Sequence, residues 1–155
     1  MLAVILCAGT GSRTGLNHPK CVHKFKDGTT LIEKNIINLK KCGFKNSQII
    51  FATGYAEKLI KKITFSKFKY IKNTKYRSTN MIFTLNEVLK KIQSQDVYVL
   101  YADIIYDYLV LKKLINSKKN VATLVDKDWL KKWKIKKDYL DDLEILKIKK
   151  NKIVK

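Results

Sequence analysis

Short apolar runs alternate along the chain with longer segments in which apolar residues recur every three or four positions. The short runs predict buried strands, and the longer spacing predicts amphipathic helices. The predicted strands are Leu2–Cys7, 48–53, 68–72, Val97–Tyr101 and 121–125. The predicted helices are 30–42, 56–63, 80–92 and 109–117. This alternation predicts an α/β fold in which a mainly parallel sheet lies between layers of helices.

The end of the chain has a different pattern. Apolar and polar residues alternate over 143–155, with Lys150-Asn151-Lys152 between two apolar stretches. Such alternation predicts a β-hairpin. Since the chain shows neither an internal repeat nor a linker, we expect a single domain over 1–155.

A glycine-rich loop follows the first predicted strand. It reads Gly9-Thr10-Gly11-Ser12-Arg13, and Pro19-Lys20 comes five residues later. Glycines let successive backbone N–H groups approach an anion closely, and Arg13 and Lys20 add positive charge there. The spacings of a P-loop and of a dinucleotide fold are both absent. A glycine pair alone is most often a tight turn, but the full pattern predicts a loop that holds a triphosphate.

Composition limits the possible classes of protein. The chain has 155 residues, enough for one core, and 46% of them are hydrophobic. No apolar run approaches the roughly 20 residues of a membrane-spanning helix, and the N-terminus lacks the features of a signal peptide. Three cysteines without metal-ligand spacing make disulfides and a metal cluster unexpected. We therefore expect a cytoplasmic protein without membrane insertion.

The chain is strongly basic. Its formal net charge is +20, from 33 basic and 13 acidic residues, a balance found in proteins that bind nucleic acid. The alternative is a solvated lysine-rich surface, because only Arg13 and Arg77 are arginines and the lysines are spread along the chain. We favour this second interpretation and expect no specific nucleic acid, although the charge would attract a nucleoside triphosphate.

Several motifs follow the glycine loop in a fixed order. They are Leu31-Ile32-Glu33, Gly54-Tyr55, Asn73-Thr74-Lys75-Tyr76, Thr79-Asn80-Met81, Tyr101-Ala102-Asp103-Ile104-Ile105-Tyr106-Asp107 and Val125-Asp126-Lys127-Asp128-Trp129. With the loop, they resemble the MobA-like and sugar nucleotidyltransferases over nearly the whole chain. The resemblance is greatest to the branch containing choline-phosphate and 2-aminoethylphosphonate cytidylyltransferases.

This resemblance implies a Rossmann-like sandwich of three layers and a Mg²⁺-dependent transfer from CTP. The acceptor would be phosphocholine, aminoethylphosphonate or a sugar phosphate, activated for decoration of the cell surface, and pyrophosphate would leave. The reaction joins two anions, so it needs cations near the triphosphate and a carboxylate for the metal.

The candidate catalytic residues are Lys20, Arg13 and Asp103. We expect Lys20 to contact the α-phosphate and Arg13 to hold the β- and γ-oxygens. Asp103 follows a predicted strand and is the candidate Mg²⁺ ligand, with a helix cap or turn aspartate as the alternative. Asp107 fits better as the cap of the following helix.

The candidate nucleotide-binding residues are Cys7, Ala8, Gly9, Thr10, Gly11, Ser12 and Asn80. The resemblance implies that Ala8, Gly9 and Asn80 lie near the base and ribose, while Asn80 also fits as a helix N-cap. Trp129 and Asp126 are candidate acceptor-binding residues, because an aromatic ring beside an acid suits an ammonium group. Two tryptophans at helical spacing, Trp129 and Trp133, are otherwise typical of a core.

The chain departs from the family pattern in two ways. Cys7 stands where the family usually has alanine, and family members are longer, with a second metal-binding aspartate beyond the terminal hairpin. We therefore expect a domain that lacks its C-terminal portion. Three hypotheses stay open: a cytidylyltransferase, a non-catalytic remnant that keeps nucleotide affinity, and a lysine-rich nucleic-acid-binding protein.

Overall fold

Four parallel strands form the central sheet. The computed structural model describes residues 1–11, 18–93, 96–133, 148–149 and 152–153. The strands are β1 (Leu2–Cys7), β2 (Ile49–Thr53), β3 (Lys69–Lys72) and β4 (Val97–Tyr101), in the order β3-β2-β1-β4. In this register Ala3 of β1 is opposite Ile49 of β2 and Tyr98 of β4.

Helices cover both faces of this sheet. They are α1 (Leu31–Lys41), α2 (Glu57–Ile63), α3 (Met81–Leu89) and α4 (Tyr108–Ile115). Alternate residues of β1 point to opposite faces. On one face, Ile5 belongs to a buried cluster with residues of α1, α2 and α4. On the other face, Val4 packs in a cluster that includes Val88 of α3. The predicted three-layer α/β arrangement is therefore confirmed in this part of the chain.

Local sequence explains where α1 begins and ends. The Thr30 hydroxyl accepts a hydrogen bond from the Glu33 backbone N–H, and the Thr30 N–H donates to the Glu33 carboxylate. This reciprocal capping box satisfies donors that a helix start leaves unpaired. After the helix, Gly43 has φ 88°, a left-handed conformation that glycine adopts without strain. The chain then enters the buried strand β2.

The strand order creates a crevice at one end of the sheet. The chain moves outwards from β1 through β2 to β3, and then crosses so that β4 lies on the other side of β1. The crevice between the carboxyl ends of β1 and β4 is the place where open α/β sheets bind ligands. In sequence, the glycine loop follows β1 and Asp103 follows β4.

The structure corrects one predicted element. Residues 121–125 form no strand, although their apolar run predicts one. Val121 is 92% exposed, and Leu124 and Val125 are also exposed. A parallel strand needs a neighbour for its backbone groups and a cover for its side chains, and among the described residues nothing pairs with this run. Apolar composition alone was insufficient evidence for a strand.

The chain divides into two compact units, Met1–Asn120 and Val121–Lys155. The second contains α5 (Trp129–Trp133) and the antiparallel pair β5 (Ile148–Lys149) and β6 (Lys152–Ile153). This pair confirms the predicted hairpin, whereas the single domain over 1–155 stays a prediction. Within the described part of the chain, no helix has the length and apolar character that crossing a membrane requires.

Candidate functional site

A cleft of about 380 Å³ opens at the carboxyl ends of β1 and β4. Its volume is within the usual range of ligand pockets, about 300–1,000 Å³. The predicted site residues that line it are Cys7, Ala8, Gly9, Thr10, Gly11, Lys20, Asn80 and Asp103. The fold therefore brings together residues that are up to 96 positions apart in the sequence (Asp103 minus Cys7). Their functional roles stay predictions.

Lys20 and Asp103 face each other at this cleft. The Lys20 Nζ lies 4.0 Å from the Asp103 Oδ2, and the side chains are 39% and 45% exposed. Lys20 begins a short 3-10 turn, in which the His23 N–H donates to its carbonyl at 2.9 Å. Asp103 is the second residue after β4, and the N–H of the intervening Ala102 donates to the Leu6 carbonyl of β1 at 3.2 Å. Both charged groups are thus accessible to a ligand, and hydrogen bonds hold the backbone near each of them.

The glycine loop closes onto the segment that carries Lys20. Gly11 has φ 72°, and a β-carbon there would lie 3.3 Å from the Lys20 backbone nitrogen. A side chain at this position would meet both backbone strain and crowding. Around Gly9, by contrast, nothing lies within 4 Å of an added β-carbon. Gly11 therefore shapes the loop, while Gly9 leaves open space on the cleft.

Two buried thiols, Cys7 and Cys21, also line the cleft. Cys7 Sγ lies 3.3 Å from the Ala52 carbonyl oxygen. Burial raises the pKa of Cys21 to about 12, and the Asp103 charge acts in the same direction. The pKa of Cys7 is also raised well above its usual value, mainly by burial and further by Cys21. Both side chains are therefore thiols at neutral pH and not nucleophiles, because the thiolate is the reactive form.

A second wall of the cleft comes from the start of α3 and the turn before it. The Asn80 side chain caps this helix, accepting a hydrogen bond from the Phe83 N–H at 3.0 Å. The N-cap interpretation of Asn80 is therefore confirmed, and the same residue lines the cleft. Tyr101 of β4 places its hydroxyl 2.7 Å from the Met81 sulfur, at the same cleft. Asn80 is placed to serve a ligand as well as the helix.

Sequence reasoning gave no role to several residues of this wall. Tyr76, Thr79 and Thr84 line the cleft, and Asn73 lies buried close to them. The available signal was the pair of motifs Asn73-Thr74-Lys75-Tyr76 and Thr79-Asn80-Met81, which marked the segment without indicating what each side chain does.

The remaining predicted residues belong to other segments of the sequence. Ser12 and Arg13 lie outside the described residues. Asp107 caps α4, accepting from the Leu109 N–H at 2.7 Å, as predicted. Asp126 and Trp129 belong to the second unit, where the Asp128 N–H donates to the Asp126 carboxylate at 2.9 Å just before α5. Their acceptor-binding role stays a prediction.

The donor set at the cleft is compatible with magnesium. The described ranges contain no cluster of three or more His, Cys, Asp or Glu side chains that could enclose a metal. Mg²⁺ is commonly held by one or two carboxylates, with water and substrate phosphates as its other ligands. A single exposed carboxylate at Asp103, on a cleft of about 380 Å³, is compatible with that requirement.

The sequence is similar to nucleotidyltransferases. The profile of the MobA-like NTP transferase domain matches residues 3–151. Over 99% of its length, the chain is 35% identical to the CTP:phosphoglutamine cytidylyltransferase of Campylobacter jejuni, of which it covers 64%. These matches agree with the family resemblance inferred from the motifs.

Solved structures support the same relationship. The CTP:phosphocholine cytidylyltransferase from Streptococcus pneumoniae has a TM-score of 0.56 and 31% identity, over 66% of this chain and 44% of that one. A nucleotidyl transferase from Methanothermobacter also has a TM-score of 0.56, at 14% identity, over 73% of this chain and 56% of that one. The second likeness shows the fold alone. The chain spans less than two thirds of each of these relatives.

Proposed function

The chain belongs to the MobA-like NTP transferase family, and from this premise we propose that it transfers a cytidylyl group from CTP to a small phosphorylated or phosphonate acceptor. An acceptor oxygen would attack the α-phosphorus of CTP. The bond from that phosphorus to the bridging oxygen would break, and pyrophosphate would leave. The observation that carries the proposal is the pair Lys20 and Asp103 beside the glycine loop.

Charge is the main obstacle that the site must overcome, because donor and acceptor are both anions. Lys20 would neutralise charge at the α-phosphate, where it increases in the transition state. The backbone of the glycine loop would fix the triphosphate relative to Lys20. Arg13, from the loop, would hold the terminal phosphate oxygens. Together these groups would align the acceptor oxygen with the α-phosphorus.

We propose Mg²⁺ as the cofactor, with Asp103 as its protein ligand. The ion would neutralise phosphate charge and orient the triphosphate when bound. Lys20 lies close enough to Asp103 to pair with it while no cation is bound there.

For the acceptor we propose phosphocholine, aminoethylphosphonate or a sugar phosphate, with Trp129 and Asp126 contributing to its recognition. The Campylobacter relative is named for phosphoglutamine, which adds a fourth compound to test. An activated headgroup of this kind would serve cell-surface synthesis from a cytoplasmic enzyme.

The direct experiment is release of pyrophosphate from each of the four nucleoside triphosphates, with each of these four acceptors, in the presence of Mg²⁺. We expect release with CTP and one acceptor, and none when the acceptor is omitted. If no donor and acceptor pair gives pyrophosphate, and calorimetry detects no CTP binding, the proposal is wrong.

A second candidate is a nucleotide-binding module without turnover. The observation that favours it is the single carboxylate among the described cleft residues. Here calorimetry would show CTP binding, while no acceptor would give pyrophosphate. Turnover by the chain as given would exclude this candidate.

A further inference from the structure

Asn73 is a buried polar residue immediately after β3, with 2% of its surface exposed. Its backbone N–H donates to the Thr53 carbonyl at the end of β2, at 2.8 Å. The residue is thereby anchored to the sheet. It is absent from the lining of the cleft, so its side chain acts from behind the wall.

The Asn73 carboxamide joins three segments of that wall. Its Nδ2 donates to the Thr79 hydroxyl and to the Thr84 hydroxyl, both at 2.9 Å. Its Oδ1 accepts from the Lys75 N–H at 2.8 Å. One side chain thus connects the end of β3, the turn before α3 and the first turns of α3 itself.

The direction of every hydrogen bond in this network is fixed. The Thr79 hydroxyl donates to the Lys75 carbonyl at 2.8 Å, and the Thr84 hydroxyl donates to the Asn80 carbonyl at 3.2 Å. Each hydroxyl has one hydrogen, so each needs a donor on its other side. Asn73 supplies both donors and uses its oxygen for a backbone N–H. A carboxylate at this position would have the same shape and no donor.

We propose that Asn73 is the positioning residue that sets the wall formed by Tyr76, Thr79, Asn80 and Thr84. All four line the cleft, and Asn73 bonds directly to two of them. The wall and the glycine loop line the same cleft, so the position of the wall affects the space available to a nucleoside. This inference rests on the proposed function, because the position of the wall is tested through the affinity for CTP.

The test is the isosteric change Asn73→Asp, with Asn46→Asp as the matched control. Asn46 lies just before the amino end of β2, whereas the cleft is at the carboxyl ends of the strands, and the residue acquires the same charge. At about pH 8 we expect Asn73→Asp to weaken CTP binding by about tenfold or more, because two donors are lost in a buried network. Asn46→Asp should bind CTP like the wild type.

The pH dependence tests whether the ionised carboxylate, which has no hydrogen to donate, causes the weaker binding. Burial raises the pKa of a carboxyl, so at about pH 5.5 much of an aspartic acid at position 73 would be protonated and would donate one hydrogen bond. We expect the affinity ratio of wild type to Asn73→Asp to fall towards one at this lower pH. Because wild type and variant are compared at the same pH, any effect of CTP protonation cancels from the affinity ratio.

A second pair of variants covers the case in which Asn73→Asp fails to fold. Thr84→Ser keeps the hydroxyl that accepts from Asn73, and Thr84→Val keeps the shape without it. We expect Thr84→Val to weaken CTP affinity more than Thr84→Ser does. Equal affinity of these two variants, whether high or low, would overturn the inference.

The result for the wild type separates the two claims. If the wild type binds CTP and Asn73→Asp binds equally well at about pH 8, the inference about Asn73 is wrong and the proposed function stands. If the wild type does not bind CTP at all, the proposed function fails, and the role of Asn73 in nucleotide binding fails with it.

Discussion

Gly54 packs so closely against Ala8 that a β-carbon on residue 54 would lie 2.5 Å from the Ala8 carbonyl oxygen. The same oxygen accepts a hydrogen bond from the Tyr55 N–H at 3.2 Å. Ala8 is the first residue after β1, where the glycine loop begins, and Gly54 is the first after β2. The absence of a side chain at Gly54 therefore lets the segment after β2 pack against the residue that precedes the glycine loop.

Gly54→Ala should destabilise the fold by about 1–3 kcal/mol, because the methyl group would have to displace backbone. Chemical denaturation measures this change in the free energy of unfolding. Gly9→Ala is the control, since an added β-carbon at residue 9 meets nothing within 4 Å. Equal stability of Gly54→Ala and the wild type would contradict the close packing.

Gly9→Ala should instead affect ligand binding. The residue lines the cleft, and its open surroundings are the space that we assign to the nucleotide. A methyl group there would keep the backbone N–H groups from a phosphate, and we expect CTP affinity to fall by about tenfold. Calorimetry with CTP tests this directly. Unchanged affinity would place the nucleotide away from residue 9.

Lys20→Ala should reduce pyrophosphate release by about a hundredfold or more, because a charge aimed at the transition state is lost. Lys26→Ala removes the same charge from an exposed position elsewhere and should leave the rate within about twofold. Steady-state rates of both variants provide the measurement. Similar losses in both would show that the net charge of +20, and not the position of Lys20, attracts the nucleotide.

Cys7 and Cys21 should resist alkylation in the folded protein at about pH 8, because their raised pKa values keep them protonated. Cys42 is half-buried and should react first. Mass spectrometry of modified peptides, with a urea-unfolded sample as control, distinguishes the three sites. Rapid folded-state labelling of Cys21 would contradict its burial beneath the cleft.

The same pKa shift has a consequence for stability. Cys21 titrates near 12 in the folded chain and near 9 when unfolded, so between these values the folded state holds more protons. Its contribution to the free energy of unfolding is therefore present below about pH 9 and lost as the pH rises towards 12. Denaturation of wild type and Cys21→Ala across this range should show a smaller decrease in the variant.

The sequence alone predicts much of the sheet and the residues near the cleft. The uninterrupted apolar run of β1 marks a strand buried on both faces, and the glycines after it mark a loop near an anion. The sequence motifs place Lys20 and Asp103 in one site, but they do not predict the contact between their side chains. That contact depends on β4 lying next to β1, which is a property of the strand order and not of either local pattern.

The two features that local patterns misjudged or missed have the same physical origin. The apolar run at 121–125 looks like a strand, yet a strand also requires a partner. Asn73 looks like a polar residue after a strand, yet it is 2% exposed and forms three side-chain hydrogen bonds. Both outcomes depend on neighbours that are distant in sequence.

Asn80 caps α3 and is proposed to contact the nucleotide, and a suitable substitution separates these two roles. Its side-chain oxygen caps α3, and its position on the cleft wall suits contact with the base or ribose of CTP. Serine is about as good an N-cap as asparagine and is likewise neutral, but it lacks the carboxamide donor. Asn80→Ser should therefore keep the stability of the wild type and bind CTP about tenfold more weakly.

Asn80→Ala completes the comparison, because it removes both the cap and the carboxamide. Its free energy of unfolding should fall by about 1 kcal/mol. Its CTP affinity should fall by the same factor as that of Asn80→Ser. Thermal melts and calorimetry on the same samples measure the two effects. If Asn80→Ser binds CTP like the wild type, the residue only caps the helix, and the base must be recognised by backbone groups of the glycine loop or by Tyr76. If instead both variants lose affinity equally while only Asn80→Ala loses stability, the carboxamide itself contributes to nucleotide binding.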